Sequence, residues 1–160
     1  MEPFDVRELV DRPGTSRELH QSQEMEGLAT ELAQVKEPIR LDLLLESVVE
    51  GILVTGPLTG AVAYRCARCL TDASQPFEVS VTELYARHPG EDEYQIHDGA
   101  IDMEPMIRDA VILSLPFSPL CRPDCRGLCE RCGGNRNHDE CTCPPASDHR
   151  WAALDLLDLD

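Results

Sequence analysis

Residues 39–69 read IRLDLLLESVVEGILVTGPLTGAVAYRCARC, and the alternation inside this stretch decides the fold. Ile39, Leu41, Leu43 and Leu45 alternate with Arg40, Asp42 and Leu44, the period of a half-buried strand. Val48 to Thr55 reads as a second strand closed by Gly56-Pro57, and Leu58 to Tyr64 as a third that runs straight into Cys66. Further on, Phe77, Val79 and Val81 alternate with Glu78, Ser80 and Thr82 in a fourth. Short strands parted by tight turns predict an antiparallel β-meander.

Outward from the strands the character changes. Tyr94 to Ile96 reads as a brief strand before Asp98-Gly99. Asp102 is a good N-cap and Pro105 suits a first turn, so a helix is expected over Met103 to Leu113. Met103, Met106, Ile107, Ala110 and Val111 fall at helical spacing, and the methionines read as core packing rather than cofactor contacts. Upstream, Phe4 to Val10 has helical spacing and stops before Arg12-Pro13-Gly14. Residues 15–36 read as a loosely packed segment with a short helix near Leu28 to Val35. Pro116, Pro119 and Pro123 forbid regular structure ahead of the cysteine-rich region, and Trp151 to Leu159 suits one or two amphipathic turns. The expectation is an α+β single domain over 1–160: an N-terminal segment 1–36, a β-rich core plus one main helix 37–120, a cysteine-rich zinc-knuckle segment 121–145 and a tail 146–160.

The formal charge is −16, from 30 acidic and 14 basic residues. So acidic a chain lacks the cationic footprint that duplex DNA or non-specific nucleic-acid binding needs, and it attracts basic partners instead. The acidity is uneven, with eight acids against Arg87 alone in residues 78–104 and five arginines against five acids in 121–150. No apolar stretch reaches membrane-span length, and Met1 to Val10 has no secretory pattern, so a cytoplasmic protein without a membrane partner is expected. Oligomeric state is not readable from the sequence.

Eight cysteines stand in four close pairs: Cys66/Cys69, Cys121/Cys125, Cys129/Cys132 and Cys141/Cys143. A pair two to four residues apart can bite one metal ion, and two pairs complete a tetrahedral thiolate shell. Two structural zinc ions are therefore expected. In a reducing compartment a disulfide framework is disfavoured. The preferred grouping joins Cys66 and Cys69 to Cys121 and Cys125, pinning the third strand to the exit of the helix. Cys129, Cys132, Cys141 and Cys143 then form a local second site, in which His138 is an alternative ligand to Cys143. Gly133 supplies the positive φ that a knuckle turn requires. A thioredoxin-like redox pair needs a helix after Cys69, and none is patterned there. An iron–sulfur cluster uses the same four thiolates and stays a competing reading. Full cysteine shells leave no position open for water, and no phosphate loop, nucleophile elbow or zinc-protease helix is present, so an enzyme is not expected.

The order of these features resembles a known family. Cys66-Ala-Arg-Cys69-Leu after a β-rich half, the helix Ile101-Asp-Met-Glu-Pro-Met-Ile-Arg-Asp-Ala-Val-Ile-Leu-Ser-Leu-Pro, and Pro119-Leu-Cys121-Arg-Pro-Asp-Cys125-Arg-Gly-Leu-Cys129-Glu-Arg-Cys132-Gly are together similar to the YceD family, over most of residues 39–145. The family comprises large ribosomal RNA subunit accumulation proteins of bacteria and plastids. The resemblance implies a non-enzymatic role in large-subunit biogenesis, with a large-subunit precursor as partner through its rRNA, a basic ribosomal protein or both. Arg136 stands where many relatives carry Leu. Arg65, Arg68, Arg122, Arg126, Arg131 and Arg136 are the candidates for RNA phosphate contact, with compensation of thiolate charge as the competing role. The alternative function is a zinc- or thiol-responsive regulatory or protein-interaction module.

Overall fold

The computed structural model describes residues 2–91, 93–138 and 140–144. Among these the chain is mostly β-sheet with two helices: β1 (Phe4–Asp5), α1 (Arg7–Val10), β2 (Ser16–Gln23), β3 (Ala33–Val35), β4 (Ile39–Ser47), β5 (Gly51–Arg65), β6 (Asp72–Ala86), β7 (Tyr94–His97), β8 (Ala100–Ile101) and α2 (Glu104–Ser114). The strands form one sheet in the order β1-β8-β7-β6-β5-β4-β2, and β3 pairs with the far end of β5.

The meander expected from sequence is present only in β4-β5-β6. Beyond it β7 lies parallel to β6, and β2 returns to pair with β4 from the other side. The segment 15–36, expected to be loose with a short helix, contains two strands instead. In β2 only Leu19 and Gln23 are even partly covered, so no apolar rhythm marks it. Backbone pairing with β4 along eight residues, Ser16↔Glu46 to Gln23↔Ile39, holds it in place. At the N-terminus Phe4 and Asp5 pair with β8, and the helix is a single turn from Arg7.

The two strands expected on either side of Gly56-Pro57 are one strand of 15 residues. Gly56 has φ +141, and a Cβ there would lie 2.2 Å from the Asp42 carbonyl oxygen. Pro57 has no N–H to donate. The β4–β5 ladder accordingly skips from Leu41↔Leu58 to Leu44↔Thr55. The β5–β6 ladder runs through without a break, Gly56↔Val81 and Pro57↔Ser80 included. A sequence signal for a turn is here a kink in a central strand.

One face of this sheet makes the core. Ile39, Leu41, Leu43 and Leu45 of β4, Ile52, Val54, Leu58 and Val62 of β5, and Val81 and Tyr85 of β6 are buried. Helix α2 lays Met106, Ile107 and Val111 on that face beside β6, which bears out the core reading of the methionines. Asp102 Oδ1 accepts a hydrogen bond from the Glu104 amide, so the expected capping side chain works one residue before the geometric N-cap. Two buried polar groups bind the layers: the Ser47 hydroxyl donates to the Leu9 carbonyl at 2.7 Å and the Tyr85 hydroxyl to the Asp102 carbonyl at 3.1 Å. The turn joining β5 to β6 is Cys66–Thr71, so the long hairpin carries the first cysteine pair at its tip. The expected C-terminal turns over Trp151 to Leu159 lie outside the described residues.

Candidate metal centres

The chain folds the first pair into a knuckle because the hairpin forces a reversal there. The Cys66 amide donates to the Thr71 carbonyl at 3.0 Å and the Leu70 amide to the Cys66 carbonyl at 2.9 Å. Leu70 closes the turn at φ 59, a left-handed conformation that side chains other than glycine seldom adopt. The second pair arrives after α2. Ala67 donates to the Pro119 carbonyl at 2.8 Å and the Tyr64 hydroxyl to the Leu120 carbonyl at 3.2 Å, which bring Cys121 and Cys125 over the knuckle. Cys66, Cys69, Cys121 and Cys125 then face one another, with Cys66–Cys125 sulfurs 3.7 Å apart and Cys69–Cys121 sulfurs 3.5 Å apart.

The other four cysteines repeat the arrangement. The Cys129 amide donates to the Gly134 carbonyl at 2.8 Å and the Gly133 amide to the Cys129 carbonyl at 2.9 Å, with Gly133 at φ 71. This is the backbone of the first knuckle, with glycine where the first has Leu70. Leu128 and Asn135 form an antiparallel bridge beneath it. Cys141 Sγ lies 3.3 Å from Cys129 Sγ and 3.7 Å from Cys132 Sγ. Within each group of four, all sulfurs are within 4.8 Å of one another.

Both groups fit a divalent metal. Sulfurs at about 2.3 Å from a tetrahedral zinc sit roughly 3.8 Å apart, whereas a disulfide holds them at about 2.05 Å. All eight cysteines are free. The electrostatics point the same way. Burial opposes ionisation of Cys66, yet the backbone N–H groups of Cys121, Cys69 and Arg68 outweigh it and bring that thiol down to about 6. The Cys132 and Arg131 amides bring Cys129 down to about 6 as well. Hydrogen bonding with Cys69, then burial, pushes Cys121 up to about 12, and Cys141 does the same to Cys143. Backbone N–H groups thus favour the charged form of one thiol in each group, while crowding by neighbouring thiols opposes it at another. A bound cation would let four thiolates crowd so closely.

The four pairs come together two by two in the preferred grouping. His138 belongs to neither group, which are all-sulfur. Cys66, Cys69 and Cys125 are buried, whereas Cys132 is exposed and its three companions are half-buried. Sequence reasoning missed the residues that touch the sulfurs. The Asn137 side-chain amide donates to Cys125 Sγ at 3.4 Å, and Thr71 Oγ1 lies 3.3 Å from Cys69 Sγ. The run Asn135-Arg136-Asn137 was visible, but its contact with a cysteine twelve residues upstream was not.

The six candidate arginines divide evenly. Arg65 pairs with Asp72 at 3.4 Å, Arg68 donates to the Cys125 carbonyl at 3.1 Å, and Arg122 reaches Asn137 Oδ1 at 2.9 Å and Asp124 at 3.4 Å. Arg126, Arg131 and Arg136 have no side-chain partner among the described residues. They ring two hollows beside the second group, of about 350 and 740 Å³, that share Arg136 and are also lined by Glu130, His138 and Glu140. No helix among the described residues is long and apolar enough to cross a membrane.

Comparison with known proteins adds the family. The one described as Large ribosomal RNA subunit accumulation protein YceD matches residues 54–158. An uncharacterized protein of Mycobacterium tuberculosis is 40% identical over 168 residues, covering 94% of this chain and 78% of the relative. The uncharacterized protein YlbN of Bacillus subtilis is 22% identical over 128 residues, 76% of this chain and 74% of the relative. A chloroplastic protein of Zea mays named large ribosomal RNA subunit accumulation protein YCED homolog 1 is 43% identical over 49 residues, 30% of this chain and 17% of the relative. No solved structure matches. With more than half its length matched and its paired cysteines gathered into two knuckle-based groups, the chain belongs to the YceD family.

Proposed function

We propose that this protein is a non-enzymatic, cytoplasmic factor of large ribosomal subunit biogenesis that supports accumulation of large-subunit rRNA. The observation that carries the reading is the family match over residues 54–158. Each cysteine group holds one structural zinc ion, Cys66, Cys69, Cys121 and Cys125 in one and Cys129, Cys132, Cys141 and Cys143 in the other. Zinc in such a shell supplies cross-linking strength and no chemistry on a substrate, since four thiolates leave no position open. The first centre ties the β5–β6 hairpin to the segment leaving α2. The second shapes a small hairpin that presents Arg126, Arg131 and Arg136.

Two surfaces face a large-subunit precursor. Arg126, Arg131 and Arg136, which have no side-chain partner among the described residues, suit phosphate oxygens of rRNA, and the acids concentrated in residues 78–104 suit a basic ribosomal protein. The decisive experiment is depletion of the protein followed by the ratio of large- to small-subunit rRNA and separation of free subunits on a sucrose gradient. A selective fall in large-subunit rRNA is expected, and an unchanged ratio during slowed growth overturns the reading. A second reading, a thiol-responsive module, draws on the exposure of Cys132. It requires mild peroxide to release metal from the second centre, and a centre inert to peroxide removes it.

A further inference from the structure

The loop between Cys132 and Cys141 is one of two links between the cysteine groups. Residues 133–140 join Cys132 to Cys141, so a metal held by Cys129, Cys132, Cys141 and Cys143 fixes both ends of that segment. Yet two of its side chains, Asn135 and Asn137, point at the other group. Asn137 Nδ2 donates to Cys125 Sγ at 3.4 Å and to Asn135 Oδ1 at 2.8 Å, and Asn135 Nδ2 donates to Thr71 Oγ1 at 3.3 Å, beside Cys69. Asn137 Oδ1 accepts from the Arg126 amide at 2.8 Å and from the Arg122 guanidinium at 2.9 Å, which fixes the orientation of its amide. The Leu128 amide donates to the Arg68 carbonyl at 3.1 Å, laying the second knuckle against the first. Gly127, at φ 71, permits that contact, since a Cβ there would stand 3.1 Å from the same carbonyl.

We infer that Asn137 is a positioning residue that couples the two metal centres: it holds Cys125 as a thiolate ligand of the first centre only while the second centre holds the segment carrying Asn137 in place. An N–H donated to a metal-bound sulfur stabilises its negative charge and orients it, and loss of such a partner commonly weakens metal binding by roughly ten- to a hundredfold. The coupling is reciprocal, so filling the first centre favours filling the second by the same factor. The inference rests on the metal reading given above, and it assigns a role to the asparagines that neither a knuckle turn nor a folded body requires.

The test uses the full chain loaded with two zinc ions and excess 4-(2-pyridylazo)resorcinol, which reports zinc release in real time. Release from the first centre is expected to speed up about tenfold in Cys141→Ser/Cys143→Ser, which empties the second centre, and about tenfold in Asn137→Ala. Combining the three changes should give no further gain, because both act through one bond. Asn137→Asp keeps the acceptor for the Arg126 amide while replacing the donor to sulfur by a carboxylate oxygen that repels it, and it should speed release at least as much as Asn137→Ala. Cobalt substitution, read from the sulfur-to-cobalt charge-transfer band, counts four thiolates at the first centre of each variant and separates faster release from loss of the fold. A first centre that releases zinc equally fast with the second filled or empty overturns the coupling. So does a combined variant whose effects multiply towards a hundredfold. Absence of the charge-transfer band in the unaltered protein instead overturns the metal reading, and the coupling with it.

Discussion

The two knuckles have the same backbone and live in different surroundings. Each runs Cys-x-x-Cys, closes on a left-handed residue, and makes the same two hydrogen bonds at 2.8–3.0 Å. The first is the turn of a hairpin of two 15-residue strands, completed by cysteines more than 50 residues away, and three of its four sulfur residues are buried. The second is completed by cysteines nine to fourteen residues on, and none of its four is buried. One local geometry therefore serves two purposes. Where it joins distant segments it is part of the tertiary structure, and where it closes a local loop it shapes a surface.

The comparison breaks most sharply at the ligands. Cys66→Ser should lower the unfolding free energy of the zinc-loaded protein by about 3 kcal/mol or more, because it removes a buried ligand of a folding-linked metal. Cys132→Ser should cost about 1 kcal/mol and leave the sheet intact; urea denaturation followed by far-UV circular dichroism measures both. Equal losses would erase the distinction between the centres. The turn residues probe the shared backbone more gently. Leu70 is about half exposed and left-handed, so Leu70→Gly should stabilise by about 1 kcal/mol, whereas Gly133→Leu should destabilise by a similar amount. Reversed signs in thermal melts would show that the turns are not equivalent. Exposure orders the thiols too: under brief iodoacetamide treatment, peptide mapping should find Cys132 alkylated before Cys66 or Cys125.

The smallest effect serves as a control from an edge strand of the sheet. His20 on β2 lies 2.9 Å from Asp42 and 3.5 Å from Glu18, and hydrogen bonds to Asp42 and then Glu18 raise its pKa above 6.5. The protonated form gains from folding, so its contribution is full below about pH 6.5 and fades as pH rises through the higher folded value. His20→Gln should flatten that part of the stability–pH curve slightly while leaving metal content the same as in the unaltered protein. A change in metal content would mean that the sheet edge and the centres communicate.

Much of this was legible in the sequence. The alternation of Ile39 to Leu45, the helix that buries Met106 and Ile107, and the pairing of cysteines are short-range signals that the fold amplifies. What escaped has a physical cause in each case. β2 is mostly exposed, with only Leu19 against the core, and owes its place to backbone pairing, which leaves no trace in hydropathy. Gly56-Pro57 resembles a turn because it lacks a donor and a Cβ, yet a central strand tolerates both lacks when only one of its two ladders is interrupted. Asn137 looks like any loop asparagine until the chain has folded and set it 3.4 Å from a sulfur.

The unequal spans of the two centres also bear on how the chain finds its structure. Closing the 52-residue separation between Cys69 and Cys121 costs about 1.5 kcal/mol more loop entropy than closing the nine residues between Cys132 and Cys141. Cys66 and Cys69 sit at the tip of a hairpin that can zip from its own turn, so half of a metal site is assembled while its other half is still being made. On a growing chain that half-site waits for α2 to emerge, whereas the second centre can close within moments of its last cysteine. On such a chain Cys125 emerges before Cys141 and Cys143, so all four ligands of the first group are out before the second is complete, and the moment at which Cys121 and Cys125 arrive is the one at which the body becomes committed.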